Sequence, residues 1–235
     1  MAIKPILFSS LMVEAILKGR KTQTRRIVKK KYDNTDIELR PTKYGPQLFE
    51  VQNDLPKPTK NPNGTTTHYL RAIAELAPKY NQGDFLWVRE TWFSTRFDFK
   101  ELLEAGITDH LRFKADYNYD PKTECVGRGW KPAIHMPKAA ARIFLEVTKV
   151  RVARLQDVSE SDAIAEGIEV DEKGMYRSYT INESLLRLLG TQFNLFRPEN
   201  SFRSLWTSIN GSESWESNPW VWVYEFKQID KPKNF

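Results

Sequence analysis

The sequence predicts an α+β fold: a mixed β-barrel with flanking helices, interrupted by two insertions. Two observations carry that expectation. Segments rich in β-branched and aromatic residues are scattered from end to end with few helical stretches between them, which fits a barrel better than a doubly wound sheet. Two stretches, 29–80 and 170–200, break the pattern with insertion-like composition, the first rich in turn-forming residues. The chain of 235 residues, 40% hydrophobic and 12% aromatic, can bury a sizeable core, and it shows no internal repeat. A single domain over 1–235 is therefore expected.

The elements follow in order. In "PILFSSLMVEAILKG" a short strand at Ile6 to Phe8 leads into a helix capped by Ser9 or Ser10. Met12, Val13, Ile16 and Leu17 recur at helical spacing there, and Gly19 is a good stop. "GRKTQTRRIV" begins where that helix ends and runs into extended structure at Ile27 and Val28. The Lys-, Asn-, Pro- and Thr-rich stretch that follows predicts a hairpin around "YGPQLFEV", a loose tip at "PKPTKNPNG", and little contribution to the core. "GDFLWVRETW" is the clearest strand: after a Gly-Asp turn, Phe85, Trp87 and Arg89 alternate with Leu86, Val88 and Glu90.

"HLRFKADY" reads as another strand, and "RGWKPAIHMP" as a loop stiffened by Pro132 and Pro137. "AARIFLEVTKVRVARL" is a long bent strand or a strand pair. "VSESDAIAEGI" predicts a helix with Ser159 as N-cap, Asp162 at its third position and Gly167 as stop. The second insertion carries one amphipathic helix near 182–189. "SFRSLWTSING" is a further helix ended by Asn-Gly, and "WVWVYEF" a strongly β-prone final strand.

Composition removes several function classes. With one cysteine, Cys125, no internal disulfide can form, and His68, His110 and His135 are too widely spaced to suggest a metal cage or a histidine triad. There is no phosphate-loop, H-E-x-x-H, G-x-S-x-G or dinucleotide signature. The N-terminal segment lacks the uninterrupted apolar core of a signal peptide. No run approaches the roughly 18 apolar residues of a membrane span. A soluble cytoplasmic protein without metal, cofactor or membrane partner is expected. The net charge of +6 suits a polyanion partner but equally suits plain solubility.

The chemistry concentrates in "GRKTQTRR", residues 19–26. A tight bend between helix and strand would bring Lys21 and Thr24 to one side, whereas a flat strand would oppose them. An ordinary ammonium is a poor base, so catalysis requires burial or neighbouring cations such as Arg20, Arg25 and Arg26 to lower its pKa. The same cations could hold a phosphate, or simply form a solvated basic turn. Trp87, Trp92 and Trp130, the last near His135, offer indole faces for base stacking or core filling. Of Arg89 and Glu90, one must face inward and needs a partner. Glu166, in the last turn of its helix, is placed to act as a general acid or to sit at an exposed helix end.

"GRKTQTRR" resembles the signature of the ASCH domain, a PUA-like β-barrel family whose usual pattern is G-x-K-x-x-E-x-R. Gly19, Lys21 and Arg26 match it, while Thr24 stands where many members carry glutamate. That departure is shared with the small bacterial amidohydrolases that deacetylate N4-acetylcytidine, whose segment also reads R-K-T-x-T-x-R. The resemblance implies Lys21 as proton acceptor, Thr24 as nucleophile and Glu166 as proton donor. The blocks "PILFSSLMVEAILKGRKTQTRRIVK", "GDFLWVRETW", "WKPAIHMP" and "NPWVWVYEF" are also similar to those of phage and prophage ASCH proteins. It implies a modified pyrimidine nucleoside or RNA as partner. Three activities stay open: amide hydrolysis, RNA or single-strand binding without turnover, and metal-independent RNA cleavage.

Overall fold

A computed structural model describes residues 3–33, 35–52, 59–67, 72–96, 98–117, 129–182, 188 and 190–235. Cys125, His68 and most of the helix expected near 182–189 lie outside the described residues. In chain order, β1 (Ile3–Leu7), α1 (Ser10–Leu17) and β2 (Gln23–Ile27) precede β3 (Thr35–Thr42), β4 (Gly45–Gln52), β5 (Thr59–Lys60), β6 (Thr66–Thr67) and β7 (Ala72–Leu76). Next come β8 (Phe85–Arg89), β9 (Trp92–Ser94), α2 (Phe99–Glu104), β10 (Leu111–Phe113), β11 (Phe144–Arg154) and α3 (Glu160–Ala165). The series continues with β12 (Tyr176–Arg177), β13 (Phe193–Leu195), α4 (Pro198–Asn210), α5 (Ser212–Glu216) and β14 (Trp220–Ile229).

The fold is mixed α+β. Its main sheet has five strands in the order β1-β8-β11-β14-β2. The β1–β8 pair is parallel and the others antiparallel. The expected closed barrel is not formed among the described residues: β1 and β2 are the two edges of this sheet. They nevertheless approach one another, because the Arg26 guanidinium on β2 donates to the Leu7 carbonyl on β1 at 2.6 Å. One long strand, not two, spans Phe144–Arg154, with its register shifted between Val147 and Lys149. That irregularity bends the strand without breaking it.

Two apolar layers sandwich the sheet. Ile6, Val13, Ile16, Leu86, Leu145 and Phe226 join α1 to one part of it. Ala163 of α3 and Phe202, Leu205 and Trp206 of α4 pack with Val221 and Val223 of β14. Ser159 caps α3 as the sequence predicts, its hydroxyl accepting from the Asp162 amide at 3.2 Å. Pro198 opens α4, and Gly211, at φ +83°, follows its last residue.

The predicted hairpin around "YGPQLFEV" exists as β3–β4 and is extended by β7. The expectation that this insertion adds little core does not hold. Leu48 and Val51 are fully buried, and Leu48 and Leu76 cluster with Val28, against which Ile37 and Trp222 pack. Spaced along β-strands, a few apolar residues suffice, because alternation gathers them on one face.

Candidate active site

The basic segment owes its shape to the end of α1. The amides of Arg20 and Lys21 both donate to the Ala15 carbonyl, at 2.8 and 3.0 Å, after Gly19 takes φ +70°. This tight turn swings Lys21 off the helix and into a bridge with Glu166, and the Thr22 amide donates to Ala165 O at 2.9 Å. The loop thus crosses directly over the C-terminal end of α3. Gly167, at φ +88°, makes that crossing possible. A Cβ there would lie 2.7 Å from the Lys21 Cβ and 2.9 Å from the Ala15 Cβ.

A buried ion network results. The Lys21 ammonium donates to Glu166 Oε2 at 2.8 Å and to the Glu166 carbonyl at 2.9 Å. Arg25 donates from Nη1 to Glu166 Oε1 at 3.0 Å and from Nη2 to Asp162 Oδ2 at 2.7 Å. Arg151 closes the chain with a 2.6 Å bond to Asp162 Oδ1. The side chains of Lys21 and Arg25 are 0% exposed. Ions so removed from water persist only when paired, as these are, although the Arg25 Nε is buried without an acceptor. Burial holds the Lys21 ammonium below its ordinary 10.5; Glu166 opposes the shift, and Arg26 and Arg25 add to it. Burial alone would raise the Asp162 carboxyl, but Arg151 and Arg25 outweigh it and hold the group below its usual range.

Thr24, buried on β2, borders a cavity of about 240 Å³ whose wall also includes Arg26, Glu166, Met12, Phe202 and Trp206. Lys21 and Thr24 are not hydrogen-bonded to one another among the described residues. Glu166 connects them, ion-paired to the lysine and bordering the threonine's cavity. Arg26 rests over the Phe8 ring at 5.3 Å and separates this cavity from a cleft of about 650 Å³ between the two sheet edges. No protein-family model, curated protein or solved structure matches the chain.

The structure therefore brings Arg20, Lys21, Thr24, Arg25, Arg26 and Glu166 together. Arg20 binds the Gly167 and Ile168 carbonyls at 3.2 and 3.3 Å and Glu169 at 3.3 Å. It fastens the end of α3 and also lines a separate cavity of about 800 Å³. Arg89 lines the neighbouring cleft. The other candidates lie apart from the network. Glu90 is the inward-facing member of its pair and is clasped by Arg142 at 2.9 and 3.0 Å. Trp92 is core, packed edge-on against Phe99 at 5.6 Å, and Trp87 packs against Phe235 at 6.2 Å. Trp130 meets Phe93 at 4.9 Å, while His135 is an exposed residue closing a short turn. Packing claims these rings because indole area gains more from burial in a core than from exposure.

Reading the sequence missed Asp162 as an ion partner, Arg151 and the close approach at Gly167. The signal existed for the first. Asp162 and Glu166 are four apart on one turn of helix, matched by Lys21 and Arg25 four apart opposite. No helix among the described residues is long and apolar enough to cross a membrane.

Proposed function

We propose that the protein is an ASCH-type amidohydrolase acting on N4-acetylcytidine or a related acylated pyrimidine. The observation that carries the reading is the fully buried Lys21–Glu166 pair beside the Thr24 cavity. Support for a PUA-like half-barrel comes from the curled sheet whose edge strands Arg26 ties together.

The pair is suited to supply both a base and an acid. Passing one proton along the 2.8 Å bond from Lys21 to Glu166 yields a neutral amine and a neutral carboxylic acid together. Burial lowers the Lys21 pKa and so reduces the cost of that transfer. The amine, released from its ion pair, accepts the Thr24 hydroxyl proton as the oxygen attacks the amide carbonyl. Arg26, on the same cavity wall, stabilises the oxyanion. Glu166 then protonates the departing exocyclic nitrogen, leaving acyl-threonine and restoring the charged pair. Water hydrolyses the ester, its proton passing through the same pair, and regenerates the hydroxyl.

A phosphate grip made of the whole basic segment is less well supported. Arg20, Lys21 and Arg25 already hold carboxylates, two of them out of reach of solvent. Turnover of N4-acetylcytidine, followed by separation of cytidine, tests the reading. Parent protein should release cytidine, and Lys21→Ala and Thr24→Ala should not. Full turnover by folded Thr24→Ala would remove the nucleophile assignment.

A further inference from the structure

The cleft of about 650 Å³ beside the Thr24 cavity is lined mainly by cations among its charged residues. Arg26, Lys29, Lys31, Lys79 and Arg89 line it, against one acid, Glu75. Among the described residues, none of these cations lies within ion-pair distance of a carboxylate, whereas Arg20, Lys21 and Arg25 all do. The Arg89 Nε is buried without an acceptor, although another nitrogen of the same group donates to the Ile134 carbonyl. A buried donor left unmade is costly, so the Arg89 side chain is held in the cleft wall with its hydrogen bonding incomplete.

Two of the lysines are held in place by the first insertion. Glu50, fully buried on β4, accepts from the Lys31 amide at 2.9 and 3.0 Å, the Tyr32 amide at 2.8 Å and the Thr35 hydroxyl at 2.6 Å. Burial opposes charge on Glu50, yet these donors outweigh it and keep the carboxyl below its usual range. The turn that carries Lys29 and Lys31 toward the cleft is thus pinned to the hairpin core through Leu48 and Val51. The floor is aromatic. Tyr80 and Tyr224 meet edge-on at 5.2 Å, with Tyr80 donating to Pro5 O at 2.8 Å and the Lys79 amide donating to the Tyr224 hydroxyl at 3.2 Å. Burial pushes the Tyr224 phenol up to about 12, so it adds no negative charge.

We propose that this cleft binds phosphate, and that the inserted hairpin exists to complete it, so that the substrate is a phosphorylated pyrimidine and not a free nucleoside. The substrate half rests on the hydrolase reading above; the phosphate-binding half does not. Arg26, Ile27 and Lys29 border both cavities. A ligand anchored by phosphate in the larger one can therefore reach the Thr24 cavity with its base. A lone carboxylate would need one or two of these cations; their spread along the cleft calls for a ligand with several charges.

The test has a binding arm and a turnover arm. In the first, a fluorescein-labelled oligocytidylate strand is titrated into the parent protein and into Lys31→Glu/Lys79→Glu, by anisotropy at several salt concentrations. The parent should bind, with a log–log salt slope of about −0.7 per phosphate contacted. The reversed variant should bind on the order of tenfold more weakly or worse. In the second arm, kcat/KM is compared for N4-acetylcytidine, its 5′-monophosphate and an oligonucleotide carrying one such base. The ratio of phosphorylated to free nucleoside should be on the order of tenfold in the parent and fall toward one in the variant. A gain already complete with the monophosphate identifies a single phosphate as the ligand; a gain seen only with the strand identifies a polynucleotide. Strand binding without turnover of any substrate would leave the cleft standing and remove the hydrolase reading. Equal binding by parent and reversed variant, or a ratio of one in the parent, would overturn the proposal.

Discussion

Gly167→Ala isolates the contact on which the site is built. The backbone there has φ +88°, and a Cβ would stand 2.7 Å from the Lys21 Cβ and 2.9 Å from the Ala15 Cβ. Forcing an L-residue into left-handed backbone costs about 1–2 kcal/mol. Overpacking a tight interior costs about 1–3 kcal/mol more. The two neighbouring atoms are the first carbons of their side chains and cannot swing away, so both costs should be paid, for a loss of about 2–5 kcal/mol. Gly174→Ala is the control. It has φ +77° but nothing within 4 Å of its added Cβ, so only the backbone cost of about 1–2 kcal/mol applies. Urea unfolding of both variants, compared at unchanged m-value, reads the difference directly. Equal losses would show that the close approach at Lys21 carries no strain and that the lysine is not clamped from behind by this glycine.

Further outcomes follow from the same geometry. Because Lys21 sits below its ordinary 10.5, kcat/KM on an acylated pyrimidine should rise with pH through a limb centred below that value. Lys21→Arg should abolish that limb, and a flat profile in the parent would count against Lys21 as base. Asp162 and Glu50 are held below the usual carboxyl range. They contribute stability above their unfolded values of about 4 that is lost as pH falls through the lower folded values. Asp162→Asn should therefore flatten the acid side of the unfolding free energy curve; an unchanged acid slope would mean that its two arginines do not stabilise it. Leu48→Ala should cost about 2–5 kcal/mol in chemical denaturation if the inserted hairpin shares the cooperative core. A loss under about 1 kcal/mol would mark the hairpin as an independent flap.

Local rules proved sufficient where the residues that enforce them are adjacent. The Ser159 cap, the stop at Gly19, the Asn-Gly end of the long helix, the hairpin and the final strand each depend on a few consecutive side chains, and each is present as expected. The sheet is different. Whether its edges close depends on how β1, β8 and β14 curve past one another, and among the described residues an Arg26 bond, not a ladder, spans the gap. The insertion likewise contributes more core than its composition suggests. A count of its apolar residues says little about which face Leu48, Val51 and Leu76 share.

The site divides along the same line. From the sequence alone came the basic turn after the first helix, the pairing of Lys21 with Thr24 as candidates, and Glu166 as the carboxylate to watch, since spacing, caps and residue chemistry are written locally. Tertiary structure decided what those residues face. It joined Lys21 to Glu166 across 145 positions and gave Arg25 a second carboxylate in Asp162. It placed Trp87, Glu90, Trp92, Trp130 and His135 apart from the network, and left the cations of the cleft without a carboxylate partner among the described residues. The reason is physical. Desolvation and Coulomb energy depend on distances through space, and those exist only once the chain has folded back on itself.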